Sequence, residues 1–250
     1  MVLRLRSLVR WIGGHELPVL VALLGIVLSS WVFIEVADEV TEGETHHLDR
    51  QVVRLMRRTN DPATPIGPVW LHEAMRDITA LGGMAVLCLM LASVVGFLIL
   101  SRNFGAAWLV LFATVGGFAA SLLLKLVFAR ERPDVVPHLS NVASYSFPSG
   151  HAMQAAVVYL TLGALLSKLV DGYRLKVYFL SVALLLTALI GVSRVYLGVH
   201  YPTDVLAGWA AGLAWAALCW LVARYLQRWG RVEQHIEGPP VTDLPICGTD

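Results

Sequence analysis

Apolar residues along this chain gather into six blocks, at about 17–37, 79–100, 104–124, 152–170, 177–197 and 203–223, and the charged residues bunch between them. As a helix, each block is long enough to cross a hydrocarbon layer of about 30 Å. The pattern predicts an all-α fold, a six-transmembrane-helix bundle forming one membrane domain over residues 1–231. The connection at 38–78 is the only long one on its side. Within it, LDRQVVRLMRR sets Leu48, Val52, Leu55 and Met56 on one helical face and Arg50, Arg54, Arg57 and Arg58 on the other. That amphipathicity predicts a short interfacial helix whose arginines form a solvated face near lipid headgroups. Asp77 and Thr79 are placed to cap the second span. Beyond residue 232, where Pro239 and Pro240 interrupt a polar stretch, the pattern predicts a disordered cytoplasmic tail.

Composition sharpens this picture. Of 250 residues, 57% are hydrophobic and only 15% charged, whereas a soluble domain carries charge on about a quarter of its residues. A net charge of +1 gives no reason to expect a nucleic-acid partner. The cysteines are Cys88, Cys219 and Cys247, an odd number that implies no disulfide framework. Arg4, Arg6 and Arg10 precede the first block, as they would in a signal peptide. The apolar stretch after them is longer than a signal core and lacks a small-x-small cleavage site, so a retained helix is expected. Placing the N-terminus in the cytoplasm puts ten of the 19 basic residues on that side, with the C-terminus there too. His46 and His47, being adjacent, point apart in a helix or a strand and make a poor metal pair; no metal and no cofactor is expected.

Three polar stretches interrupt the apolar pattern, and this topology brings all of them to the outer face. They are KLVFARERP from Lys125, PSGH from Pro148 and SRVYLGVHYPTD from Ser193. Ionisable groups at a membrane edge cost several kcal/mol unless partnered, so such stretches are functional candidates. Lys125, Arg132 and Arg194 supply the donors that neutralise a phosphoryl group, and a guanidinium grips two of its oxygens. Ser149 and Gly150 open a helix whose free amides and dipole can face an anion, and Gly150 permits close approach. Pro202 suits the first helical position of the last span, which sets Asp204 in the first turn, within reach of a ring nitrogen of His200. One histidine fixed in this way can attack phosphorus, while His151 across the pocket can protonate a leaving oxygen. The residues alone do not choose which histidine attacks.

Lys125-x6-Arg132-Pro133, Pro148-Ser149-Gly150-His151 and Ser193-Arg194-x5-His200-x3-Asp204 together resemble the tripartite signature of the type-2 phosphatidic acid phosphatases. RDITALGG at 76–83 is also similar to the start of the second span in many members. The resemblance implies a metal-independent membrane phosphatase working through a phosphohistidine. His200 would be the nucleophile, Asp204 its orienting partner and His151 the general acid. Lys125, Arg132, Ser149, Gly150 and Arg194 would bind phosphate.

The expected substrate is a lipid phosphate or diphosphate in the outer leaflet of a bacterial cytoplasmic (inner) membrane. Undecaprenyl diphosphate is favoured, with phosphatidylglycerol phosphate and phosphatidic acid as runners-up. A lipid phosphotransferase would need the same residues, since only the acceptor differs. A non-enzymatic lipid transporter would explain charges in a bundle but not two histidines with a partnered aspartate.

Overall fold

The computed structural model describes residues 17–139 and 144–228. The basic N-terminal flank, Cys247 and the expected tail lie outside the described residues. The elements in chain order are α1 (Leu17–Glu42), α2 (His46–Leu55), β1 (Arg57–Arg58), β2 (Asp61–Pro65), α3 (Val69–Ala80), α4 (Met84–Leu100), α5 (Phe104–Phe128), α6 (Gly150–Lys168), α7 (Tyr173–Tyr196) and α8 (Pro202–Arg228). α1, α5, α6, α7 and α8 are each long and apolar enough to span a membrane. α3 and α4 meet at a 47° bend and together make the sixth candidate span.

α6 is the centre of the bundle, packed mainly against α7 and α8, while α1 lies along α8. Its inner turns, Ala152 to Tyr159, are buried. Small residues let these backbones meet, as is common where helices pack within lipid. Gly208 and Gly212 are one turn apart on α8. A Cβ at Gly208 would stand 2.7 Å from the Ser149 carbonyl oxygen, and one at Gly212 would stand 2.6 Å from that of Met153. Apolar side chains such as Trp31, Phe112 and Leu184 remain exposed on the outside of the bundle, as expected of surfaces that face acyl chains.

Three expectations for the first connection need correcting. The second span does not begin at a cap formed by Asp77 and Thr79, because both lie inside α3 and the N-cap of α4 is Gly83. The break falls at Gly82–Gly83, and a Cβ at Gly82 would come within 2.6 Å of Ile190. The short helix α2 forms as expected, with Leu48 and Leu55 each 66% exposed, yet its buried residues are Asp49 and Val53. Arg57 and Arg58 lie beyond it, in β1, which pairs antiparallel with β2. Arg57 is not solvated: it is only 5% exposed and donates from Nη1 to the Tyr196 carbonyl at 2.7 Å. A buried carbonyl at the end of α7 wins over water for this guanidinium because both groups would otherwise be left unpaired.

Candidate active site

Four helix ends converge on one face of the bundle: the C-terminal ends of α5 and α7 and the N-terminal ends of α6 and α8. After α5 the chain turns at Ala129, which adopts a left-handed conformation with φ of 44°. This turn sends Arg130 and Arg132 back across the bundle end towards the loop that carries His200. Pro202 opens α8, its fixed φ suiting the first helical position. Asp204 thus sits one turn from His200, and the His200 Nδ1–H donates to Asp204 Oδ2 at 3.3 Å. The same carboxylate oxygen accepts the Tyr201 amide at 2.9 Å. His200 is 1% exposed and Asp204 is 0% exposed. With Nδ1 as the donor, Nε2 carries the lone pair.

That nitrogen faces a cation. Arg132 Nη1 lies 3.2 Å from His200 Nε2 and 2.6 Å from the Val199 carbonyl oxygen, while Arg132 Nε donates to the Ser144 carbonyl at 2.7 Å. Lys125 donates to the Tyr145 carbonyl at 2.5 Å. Arg194 donates from Nη1 to the Thr79 hydroxyl at 3.1 Å, and its Nε is buried without a partner. Burial holds His200 well below the usual imidazole pKa, and the Arg194, Arg132 and Lys125 charges push it the same way. The ring is therefore neutral at pH 7.

Lys125, Arg132, Gly150, His151, Arg194 and His200 all line one cavity of about 650 Å³. From this polar end the cavity continues between α4 and α5, where Leu87, Leu91, Val115 and Phe118 form apolar walls. The shape offers an anion pocket with an apolar extension at the membrane side. The Ser149 hydroxyl is fully buried at the N-cap of α6 and has no partner. The Ser149 amide donates to the Asp204 carbonyl at 2.8 Å. The first-turn amides of Gly150 and His151, which have no acceptor within their own helix, are the ones left for an anion.

Four polar residues at this site receive no role there from the sequence, although Arg130 and Thr203 lie inside the candidate stretches. Arg130 donates from Nη1 to Asp204 Oδ1 and from Nη2 to Asp49 Oδ2, each at 2.7 Å. Burial opposes its charge, but Asp204 and Asp49 outweigh burial and hold the guanidinium protonated more firmly than usual. Thr203 donates its hydroxyl to Asp49 Oδ2 at 2.6 Å. Thr79 reaches the site from α3. Arg130 could have been suspected from its place two residues before Arg132, and Thr203 from its place beside Asp204. Thr79 falls within RDITALGG, but nothing local marks Asp49.

Comparison with known proteins identifies the family to which this fold belongs. Residues 106–228 match the family model described as PAP2 superfamily. The chain is 37% identical over 147 residues to phosphatidylglycerophosphatase B of Bacillus subtilis, covering 58% of this chain and 71% of that one. It is 32% identical over 117 residues to decaprenylphosphoryl-5-phosphoribose phosphatase of Mycobacterium tuberculosis, covering 44% of this chain and 58% of the relative. Among solved structures, the transmembrane PAP2-type phosphatidylglycerolphosphate phosphatase from Bacillus subtilis superposes with a TM-score of 0.72 at 29% identity, covering 82% of this chain and 98% of that one. The chain belongs to the PAP2 superfamily, the type-2 phosphatidic acid phosphatases. It is a multi-pass membrane phosphatase of that type.

Proposed function

We propose that this protein hydrolyses a lipid phosphate or diphosphate through a phosphohistidine formed on His200. The observation that carries the reading is the hydrogen bond from His200 Nδ1 to Asp204, which leaves Nε2 directed to the cationic end of the cavity. The phosphoryl group binds to Lys125, Arg132, Arg194 and the first amides of α6. Arg132 shifts its donor from Nε2 to a phosphoryl oxygen and so releases the lone pair. Nε2 then attacks phosphorus while the bond to the leaving oxygen breaks and that oxygen takes a proton from His151, which becomes protonated as the bound phosphate anion offsets the neighbouring cations. Asp204 stabilises the imidazolium that results. Water, deprotonated by His151, attacks the phosphohistidine, which releases inorganic phosphate and restores His200. Three cations and a helix N-terminus supply the charge neutralisation that metal ions supply elsewhere, so activity in EDTA is part of the proposal.

The apolar extension between α4 and α5 supports a lipid substrate that enters sideways between helices, and the basic residues of the connections favour cytoplasmic termini with entry from the outer leaflet. Sequence alone favours undecaprenyl diphosphate. The relatives move phosphatidylglycerol phosphate ahead of it, because two of the comparisons above carry that headgroup in their names. A polyprenyl substrate keeps second place, supported by the decaprenyl relative. The test is phosphate release from matched micelles of the two lipids, with and without EDTA, by the parent and by His200→Ala. Abolished turnover and no trapped phosphoenzyme are expected for His200→Ala. Activity within tenfold of the parent would overturn the mechanism. A higher kcat/KM for undecaprenyl diphosphate would reverse the substrate order alone.

A further inference from the structure

The buried carboxylate Asp49 lies far from the signature stretches in sequence, on a helix read as a surface element. Its oxygens are fully used. Oδ1 accepts the Thr203 amide at 3.2 Å, and Oδ2 accepts the Thr203 hydroxyl at 2.6 Å and Arg130 Nη2 at 2.7 Å. Asp49 therefore caps the N-terminus of α8 from another helix, where a carboxylate is favoured by the helix dipole. Through Arg130 it also touches the histidine's partner. The guanidinium spans the two carboxylates, with Nη1 on Asp204 Oδ1 and on the Thr203 hydroxyl, and its plane rests over the Tyr201 ring at 4.5 Å.

The consequence for Asp204 is a division of labour between its oxygens. Oδ1 belongs to Arg130, so Oδ2 is left for the Tyr201 amide and His200 Nδ1. Any rotation of the carboxylate would break bonds on both sides. Asp49 also sets how strongly Arg130 draws on Asp204. With two carboxylates the guanidinium charge is shared. With one, it would act on Asp204 alone and weaken the negative field that must support the imidazolium.

We propose that Asp49 and Arg130 are positioning residues for the His200–Asp204 pair, so that α2 of the first connection is part of the catalytic apparatus. This rests on the phosphohistidine reading above. Neither residue lines the cavity that holds His151 and Arg194. Arg130 does line a neighbouring cavity with Lys125 and Arg132, but its hydrogen bonds run to Asp204, Thr203 and Asp49, so loss of either residue should act chiefly on the chemical step.

The experiment measures kcat, KM and vanadate inhibition of the full chain in detergent for Asp49→Asn and Arg130→Lys, each alone and combined with Asp204→Asn. A thermal melt of every variant serves as the control for folding. Each single variant should lose about 10- to 100-fold in kcat, by analogy with the loss seen when the hydrogen-bonding partner of a metal-ligating residue is removed. KM and vanadate inhibition should stay within about threefold, well under one such decade. On the Asp204→Asn background the same substitutions should cost almost nothing more, because their route of action is already gone. Parental kcat in Asp49→Asn, a change confined to melting temperature, or losses that simply add to that of Asp204→Asn would each overturn the proposal. If Asp49→Asn does not fold, Arg130→Lys decides, since lysine keeps the charge but cannot bridge two carboxylates. His200→Ala is run alongside: its retained activity would sink the phosphohistidine reading itself, whereas an inactive His200→Ala beside a fully active Asp49→Asn would sink only the present inference.

Discussion

His200 stands between two regions of opposite electrostatic state. On its Nε2 side are Lys125, Arg132 and Arg194, none with a carboxylate within salt-bridge distance among the described residues. On its Nδ1 side are Arg130, Asp49 and Asp204, where a cation is held between two anions. Arg130 and Arg132 are two residues apart and both partly buried, yet one is neutralised and the other is bound to carbonyls and a neutral ring. Arg132 is held low in pKa mainly by burial, Arg130 high by its carboxylates. The difference teaches which arginine is available. A cation whose charge is already matched serves position, and one held only by dipoles stays electrostatically unsatisfied until an anion arrives.

The sharpest way to break the comparison is to remove the charge that both halves share. Asp204→Asn keeps the shape but takes away the field supporting the imidazolium and frees the ring to adopt the other tautomer. Turnover should fall by up to about 10⁴-fold, as when the orienting aspartate of a catalytic histidine is amidated. Single-turnover phosphate release measures it. A loss below tenfold would mean that Asp204 serves only the α8 terminus.

On the opposite side, Arg194→Ala removes one of the unsatisfied cations. Here kcat/KM should fall by about 10²- to 10³-fold, the usual cost of one donor to a developing oxyanion, and vanadate inhibition should weaken with it. A fall in kcat/KM that left vanadate inhibition untouched would put Arg194 with the positioning residues.

How far this division could be read from the chain depends on the range of the interactions. The helices follow from apolar runs, a local property, and their ends lie within a few residues of those runs, except that the second span starts at Val69 rather than at 79. The cationic half is likewise legible, because Lys125, Arg132, Arg194 and the two histidines interrupt those runs where lipid would reject an unpartnered charge. The neutralised half is not. Asp49 sits among arginines on an amphipathic helix, where solvation is the ordinary outcome, and its burial depends on Thr203, 154 residues away. Arg57 misled for the same reason, its partner being a main-chain carbonyl that no side-chain pattern announces. The break between α3 and α4 was hidden because VWLHEAMRDITA is too polar to extend an apolar block, although it is helical once packed on α7.

A smaller effect is expected with pH. An ordinary imidazole titrates near 6.5, and burial and the neighbouring cations hold His200 well below that. Above pH 6.5 the ring is neutral in the folded and unfolded chain alike and contributes nothing. As pH falls below that value the unfolded chain binds a proton that the folded site refuses, so stability declines by up to about 1.4 kcal/mol per pH unit. Melting curves at pH 7.5 and 5.5 should therefore separate more for the parent than for His200→Asn; these two pH values span about one ordinary imidazole titration. Equal separation would place the ring's charge outside the linkage.

The smallest effect comes from the residue next to Asp49. Arg50 pairs with Asp134 at 3.4 Å, but the two side chains are 49% and 70% exposed. Asp49 and Arg50 thus extend from the same helix into ion pairs of similar chemistry and opposite setting. Water and salt screen the exposed pair, and ordering the long arginine side chain offsets most of its attraction, so Asp134→Ala should change stability by at most about 0.5 kcal/mol. Its kcat and KM should stay at the parental values in the assay used for Asp49→Asn. If Asp134→Ala lowers kcat as far as Asp49→Asn does, the effect belongs to anchoring α2 as a whole, and burial of the Asp49–Arg130 pair is not what distinguishes it.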